Sequence, residues 1–149
     1  LNKTRMGMIK AYLNRKSRIL FQKEELHMSL DKENRNPAYL CGRLFAILEK
    51  LQQDALGNTL NTTIRDAYFS SASSRPAVVF PKLLRLAQAH LKKTSHAIFF
   101  NKLIGEVIDL LGNDFPDTLL LADQGRFIIG YYQQYHNFFV RKEETSEEE

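Results

Sequence analysis

Apolar residues recur at helical spacing through most of the chain. After Pro37 and before Gly57 they fall three or four residues apart, at Leu40, Leu44, Ile47, Leu48, Leu51 and Ala55. Proline in the first turn and glycine just past the last turn are typical of the two ends of a helix. The pattern therefore predicts a helix over residues 37–56.

Two shorter helices are predicted next. Asn61 or Thr62 is expected to cap a helix that contains Ile64, Ala67, Tyr68 and Phe69 and ends in the serine-rich run 70–74. Pro76 is expected to begin another, which reaches about Lys93. Since Pro81 lies five residues after Pro76, either Pro81 sits in the first turn or the helix begins slightly later. The core side of this helix is predicted to contain Val79, Phe80, Leu83, Leu84, Ala87 and Leu91.

The C-terminal third predicts two more helices. Thr94 or Ser95 is expected to cap a helix that ends before Gly112. The last helix follows the turn at 113–118. Its residues at alternating steps of four and three are predicted to pack against the neighbouring helices, namely Leu121, Gly125, Ile128, Tyr132, Tyr135 and Phe139. Residues 143–149 lack apolar side chains and are expected to form an acidic, disordered tail.

The first 36 residues have a weaker pattern. Residues 3–20 are expected to form a basic helix, and residues 23–36 a polar connection with room for one short helix. No segment alternates with the period of a strand. The sequence therefore predicts an all-α protein, an antiparallel bundle of about five or six helices, with residues 1–142 forming a single domain.

Composition limits the class of protein. The chain has 149 residues, of which 44% are hydrophobic, and its single cysteine, Cys41, is expected to be a small buried hydrophobe. No apolar run approaches the roughly 18 to 20 residues that span a bilayer, and no apolar segment follows the basic N-terminus as in a signal peptide. We therefore expect a cytoplasmic protein that makes no membrane contact.

Charge is unevenly distributed. Residues 1–102 contain eighteen Lys or Arg and seven Asp or Glu, whereas residues 103–149 contain three and ten. Two stretches, 3–18 and 67–105, contain cations and no acid at all. On a helical wheel Lys82, Arg85, Lys92 and Lys93 fall within an arc of about 100°, opposite the apolar side. A solvated face usually mixes signs, because like charges four residues apart repel each other. The pattern favours contact with the nucleic-acid backbone.

The residues offer little for catalysis. His27, His90, His96 and His136 lack metal-ligand spacing, and the serines at 70–74 have no nucleophile elbow or adjacent histidine. No glycine-rich phosphate loop is present. We expect a non-catalytic protein without metal or cofactor. Base-specific motifs are also missing, so binding should be to phosphates and sensitive to salt, with Tyr68, Phe69 and Tyr131 as candidate stacking residues.

Four stretches, at 37–44, 61–76, 80–86 and 124–132, together resemble the C-terminal region of the large subunit of type I-C CRISPR interference complexes. In that family this region is also made separately, from an internal start, as the small subunit, and Leu1 in place of Met fits such a product. The resemblance implies a helical, non-catalytic subunit that packs along the backbone subunits holding the guide RNA. It implies contact with the large subunit, other copies of itself and target DNA, especially the displaced strand of the R-loop.

The residues expected to contact DNA are Arg65, Arg75, Lys82, Arg85, Lys92 and Lys93, with Lys10, Arg15 and Lys16 from the N-terminal helix. Arg43 and Arg126 lie in the resembling stretches, where pairing with groups of the fold is the alternative to a binding role. The rival function is a purely structural module whose basic face docks an acidic protein partner.

Overall fold

The computed structural model of the chain describes residues 29–112 and 114–147, with side chains as far as Val140. The described backbone forms five α-helices and no strand, which confirms the all-α bundle: α1 (Pro37–Leu56), α2 (Ile64–Ser74), α3 (Pro76–Leu91), α4 (Ala97–Leu111) and α5 (Leu121–Glu147). A single turn of 3₁₀ helix, Gly57–Thr59, follows α1. The predicted helix over residues 3–20 lies outside the described residues, so a single domain over 1–142 stays a prediction.

Helix α1 runs through the centre of the bundle. The side chain of Asn36 caps it by accepting from the backbone N–H groups of Ala38 and Tyr39, and Gly57 ends it with a φ of 50°. Every residue from Ala38 to Glu49 is buried. A helix that is buried on all sides is surrounded by others, so α1 provides the core against which α2, α3, α4 and α5 pack.

The start of α2 differs from the prediction. Thr63, rather than Asn61 or Thr62, is the cap, because its hydroxyl accepts from the Asp66 N–H while the Asp66 carboxylate accepts from the Thr63 N–H. The helix ends at Ser74, within the predicted serine run. Ser71, Ser73 and Ser74 donate their hydroxyls to carbonyls three or four residues earlier, which is compatible with a continuing helix.

The predicted start of α3 is confirmed at Pro76, and Pro81 lies inside the helix rather than in its first turn. The cap of α4 differs: His96 occupies the cap position, and the Thr94 hydroxyl, two residues earlier, accepts from the His96 N–H. Gly112 ends α4 in the left-handed conformation, with a φ of 71°. The helix ends are thus set by local side-chain bonds that spacing alone locates to within one or two residues.

Helix α5 packs along α1, but through a different face from the predicted one. Leu121 is 83% exposed, and Ile128, Tyr132 and Phe139 also face solvent. The buried face is displaced by about one residue and includes Phe127, Gly130, Tyr131, Gln133, Gln134 and Phe138. Of the predicted residues, Gly125 and Tyr135 are half-buried, and Tyr135 packs against the core. The backbone also remains helical to Glu147, where a disordered tail was expected, because no glycine or proline follows Gly130 and glutamate favours helix.

Aromatic rings fill the space between α1, α2, α3 and α5. The ring of Phe45 lies edge-on to those of Phe69, Phe80, Phe127 and Tyr131, with centroids 5.5 to 6.5 Å apart. This cluster fixes α2 and α3 on one side of α1, and thereby positions the basic residues that they contain.

Candidate nucleic-acid interface

The exposed side of α3 is basic. Lys82 and Arg85 project into solvent, while the opposite side of the helix, with Val79, Phe80, Leu83 and Ala87, is buried as predicted. Within the described residues, no carboxylate forms an ion pair with either cation. Their positive charge is therefore directed outward and left for a partner.

Helix α3 ends two residues before its predicted end. Lys92 is the C-cap and keeps helical dihedral angles, with φ −74° and ψ −20°. The helical wheel therefore still places Lys92 on the same side of α3 as Lys82 and Arg85. Lys93 lies beyond the helix, in a turn where its N–H donates to the His90 carbonyl at 3.0 Å, so the helical wheel does not place its side chain. Both lysines are exposed, and neither forms an ion pair in the part of the chain described.

Arg75 continues this row at the other end of α3. It occupies the junction between α2 and α3, where its N–H donates to the Ser71 carbonyl at 2.8 Å, and it is exposed. Its dihedral angles, φ −135° and ψ 69°, are not helical, so only its backbone position at the start of α3 is fixed by the helix. From Arg75 to Lys92 the row is about 25 Å long at 1.5 Å per residue. We call Arg75, Lys82, Arg85, Lys92 and Lys93 the α3 row.

Arg65 stands apart from the α3 row. Its guanidinium carbon lies 5.2 to 5.5 Å from the ring centroids of Phe69, Tyr131 and Tyr132. One guanidinium nitrogen also donates to the Tyr132 hydroxyl at 2.7 Å. Guanidinium groups stack favourably on aromatic faces. Arg65 therefore joins the start of α2 to α5, and its geometry is that of a packing residue with an exposed edge.

A buried carboxylate lies beneath Arg65. Tyr131 donates its hydroxyl to Glu49 Oε2, and Glu49 is only 4% exposed. Burial raises the pKa of Glu49, against the smaller opposing effects of the Tyr131 hydrogen bond and the Arg65 charge. Burial and the adjacent Glu49 raise the pKa of Tyr131 as well. Because Tyr131 is fully buried, it offers no surface for stacking a base, whereas Tyr68 and Phe69 are half-buried.

Three predicted DNA-contacting residues, Lys10, Arg15 and Lys16, lie outside the described residues, as does His27. Arg126 forms an ion pair with Asp123 at 2.6 Å. This is pairing within the fold, the alternative to a binding role for that residue. Arg43 is buried in α1, and its Nε donates to Gln134 Oε1 at 3.0 Å. The sequence analysis did not predict that α1 buries polar side chains, although Glu49 and Gln52 interrupt its apolar pattern.

Within the described residues, the histidines contribute to no candidate metal site. No group of three or more His, Cys, Asp or Glu there could hold a metal ion. His96 Nδ1 lies 3.1 Å from Asp54 Oδ2 and 3.4 Å from Ser95 Oγ. Because both partners meet the same ring nitrogen, His96 cannot pass a proton between them as in a catalytic triad. The contact instead ties the α3–α4 turn to the end of α1.

The comparison with known families identifies the context of this basic row. The family model for CRISPR-associated protein (Cas_Csd1) matches residues 1–139. The chain belongs to the Cas_Csd1 family. Its all-α architecture and its CRISPR association both agree with the resemblance seen in the sequence. No curated protein matches the chain.

Membership in the Cas_Csd1 family makes the chain a CRISPR-associated protein. Among the helices that the structure describes, none combines the length and the apolar character needed to cross a bilayer. The α3 row, whose cations form no ion pair with any described residue, is the feature on which the proposed function rests.

Proposed function

We propose that this Cas_Csd1-family chain is the non-catalytic small subunit of a type I-C, RNA-guided CRISPR surveillance complex in the cytoplasm. In this function it binds the phosphates of target DNA, in particular the displaced strand, and so stabilises the R-loop. The observation that supports the proposal most directly is the α3 row, in which five exposed cations without ion pairs among the described residues lie along α3 and at its two ends.

The length and chemistry of the row suit a nucleic-acid backbone. A row of about 25 Å is long enough to meet several phosphates of one strand, at about 3.4 Å per phosphate along a helix axis. Lysine and arginine on one edge of a helix provide charge but no defined base readout. Exchange of a DNA duplex for an RNA–DNA heteroduplex is nearly balanced in energy, so a few backbone contacts are enough to shift it.

A second feature favours assembly with other subunits. The outer face of α5 and the segment before it expose large apolar side chains, namely Leu120, Leu121, Ile128, Ile129, Tyr132, Phe139 and Val140. Contiguous apolar side chains on a surface mark sites of protein contact. We assign this face to packing along the backbone subunits that hold the guide RNA, to the large subunit, or to another copy of the chain.

The test uses the assembled complex on target DNA across a salt series. One variant replaces Lys82, Arg85, Lys92 and Lys93 with glutamine, which removes four positive charges. The control replaces Arg35 and Arg126 with glutamate, which changes net charge by the same amount at exposed positions outside the row. Since each single-strand phosphate contact contributes about 0.7 to the slope of log K against log salt, loss of four contacts should reduce that slope by about 3.

The rival function, docking of an acidic protein partner, gives the opposite result. In that case the glutamine variant assembles poorly. The complexes that do form should bind DNA with the same slope of log K against log salt as the wild type. The expected result is normal assembly with a reduced slope in the glutamine variant alone. An equal fall in the Arg35/Arg126 control would assign the effect to net charge and would contradict a specific row.

A further inference from the structure

Arg43 stands out among the buried side chains. It is 4% exposed, and its Nη1 has no hydrogen-bond partner among the described residues, although its Nε donates to Gln134 Oε1. A guanidinium remains charged at neutral pH and presents donors along two edges. Leaving a buried donor of a charged group without an acceptor is costly, so natural structures usually satisfy it.

Arg43 forms part of the wall of a cavity of about 620 Å³ between α1, α4, α5 and the segment before α1. We call this the Arg43 cavity. Its apolar wall comes mainly from α4 and α5, with Phe99, Leu103, Leu110 and Phe138. Lys32 and Lys102 are exposed at its opening. The cavity therefore combines an unsatisfied buried donor, two further cations and an apolar lining.

The lining indicates one class of occupant. A carboxylate has the planar acceptor geometry that a guanidinium prefers, and the two lysines add to the attraction. The apolar walls fit aliphatic or aromatic side chains on either side of that carboxylate. Glu106 and Asp109 also line the cavity. Their negative charge would repel the closely spaced phosphates of a nucleic acid more strongly than a single carboxylate, which carries one charge.

We propose that the Arg43 cavity is a docking site for a segment of another protein subunit of the CRISPR complex, which inserts one acidic side chain, flanked by apolar residues, to pair with Arg43. This inference is separate from the DNA contact assigned to the α3 row, because it concerns a different surface and a protein ligand. It requires only that the chain functions together with other CRISPR proteins.

The test measures how tightly the full chain binds to a CRISPR complex reconstituted without it. Arg43→Met retains much of the side-chain length and removes the charge. Truncation of one partner of a buried charge pair usually weakens binding strongly, so the dissociation constant should rise about thirtyfold. The urea midpoint of the isolated chain should stay equal or rise, because burial penalises the Arg43 charge more than the nearby Glu106 and Asp31 stabilise it. Arg35→Met removes an exposed cation outside the cavity and should leave both quantities unchanged.

A second variant keeps the test informative if Arg43→Met fails to fold. Lys102→Glu reverses a charge at the exposed rim without disturbing the interior, and it should also weaken binding to the complex. DNA binding should keep its wild-type salt slope in the complexes that form. The proposal is overturned if folded Arg43→Met and Lys102→Glu chains both bind as tightly as the wild type.

The nature of the occupant is read directly by cross-linking. Phe99 lies on the cavity wall and is 39% exposed, so the photo-reactive analogue p-benzoylphenylalanine at this position reaches the occupant. Mass spectrometry of the irradiated complex should identify a peptide of another subunit that contains Asp or Glu between apolar residues. Cross-linking to DNA or RNA, or to residues 1–28 of the same chain, would overturn the proposal.

Discussion

Gly130 of α5 lies directly against the carbonyl oxygen of Tyr39 in α1, so close that a Cβ on Gly130 would stand 2.2 Å from that oxygen. The reverse contact is equally tight, since a Cβ on Gly42 of α1 would lie 2.0 Å from the Phe127 oxygen of α5. Both opposing atoms belong to backbone and cannot rotate away. The two glycines therefore set the distance between the two most extensively packed helices.

We expect alanine at either position to destabilise the protein by about 3 kcal/mol or more, at the upper end of the cost of overpacking, because the helices must separate. Gly105 and Gly125 provide matched controls, since each lies inside a helix and a Cβ there meets nothing within 4 Å. Alanine at the control positions should raise stability by about 0.5 to 1 kcal/mol. Urea unfolding of the four variants measures the difference, and equal effects at all four positions would contradict the close approach.

The contrast between α1 and α5 explains how far the sequence reveals the fold. In α1, proline, glycine and apolar spacing agree, and the structure confirms the predicted bounds. In α5, apolar residues occur on more than one side of the helix, at Phe127, Ile128, Ile129, Tyr131 and Tyr132. The buried face contains Gly130 and Gln134, which lower its apparent hydrophobicity. Spacing therefore selects the wrong face, because a close backbone contact needs a small residue rather than an apolar one.

In the candidate interface, too, the sequence predicts the position of some residues and not of others. The exposure of Lys82 and Arg85 follows from the position of the apolar side of α3, which the sequence shows. The engagement of Arg65 by Tyr131 and Tyr132 depends on contacts more than sixty positions away in the chain, which periodicity does not report. The burial of Arg43 likewise results from three helices meeting around one side chain.

The Glu49–Tyr131 pair predicts an unusual dependence of stability on pH. Burial raises the pKa of Glu49 above its ordinary value of 4.5, so the folded state binds a proton more readily than the unfolded state. Stability should therefore fall as pH rises from 4.5 through the raised pKa of Glu49. Glu49→Gln retains an acceptor for the Tyr131 hydroxyl and should be about 1 kcal/mol more stable than the wild type at pH 7.

Urea unfolding at pH 4.5 and pH 7 checks this expectation. The gain in the Glu49→Gln variant should be larger at pH 7 than at pH 4.5, because only the ionised carboxylate is penalised by burial. Glu33→Gln is the control, since it neutralises an exposed glutamate that does not line the Arg43 cavity. A gain for Glu49→Gln that does not change with pH would contradict the role of ionisation.

Arg65 should affect stability more than DNA binding. Arg65→Lys retains the positive charge, but an ammonium group lacks the planar guanidinium that stacks on Tyr131 and Tyr132. We expect a loss of about 0.5 to 1 kcal/mol in the free energy of unfolding, with the salt slope of DNA binding unchanged. Arg85→Lys, an exposed exchange on the α3 row, should change neither quantity. Because lysine keeps the charge, Arg65→Gln tests DNA contact instead: its salt slope should equal that of the wild type, and a reduced slope would place Arg65 in the DNA interface.

His90 links the α3 row to the core. It lies in the last turn of α3 and is 8% exposed. Burial lowers the pKa of His90, and the charge of Lys93 lowers it further. The folded state therefore resists protonation, so stability should decline as pH falls below the ordinary value of 6.5, with a slope of at most about 1.4 kcal/mol per pH unit.

Lys93→Gln tests the electrostatic part of this coupling without altering the buried ring. Removal of the neighbouring positive charge should bring the pKa of His90 closer to its ordinary value, which histidine NMR titration measures directly. Lys82→Gln removes the same charge further along α3 and should leave the titration of His90 unchanged. Equal shifts in the two variants would mean that His90 senses the whole α3 row, and binding of a polyanion there would then raise the pKa of His90 as well.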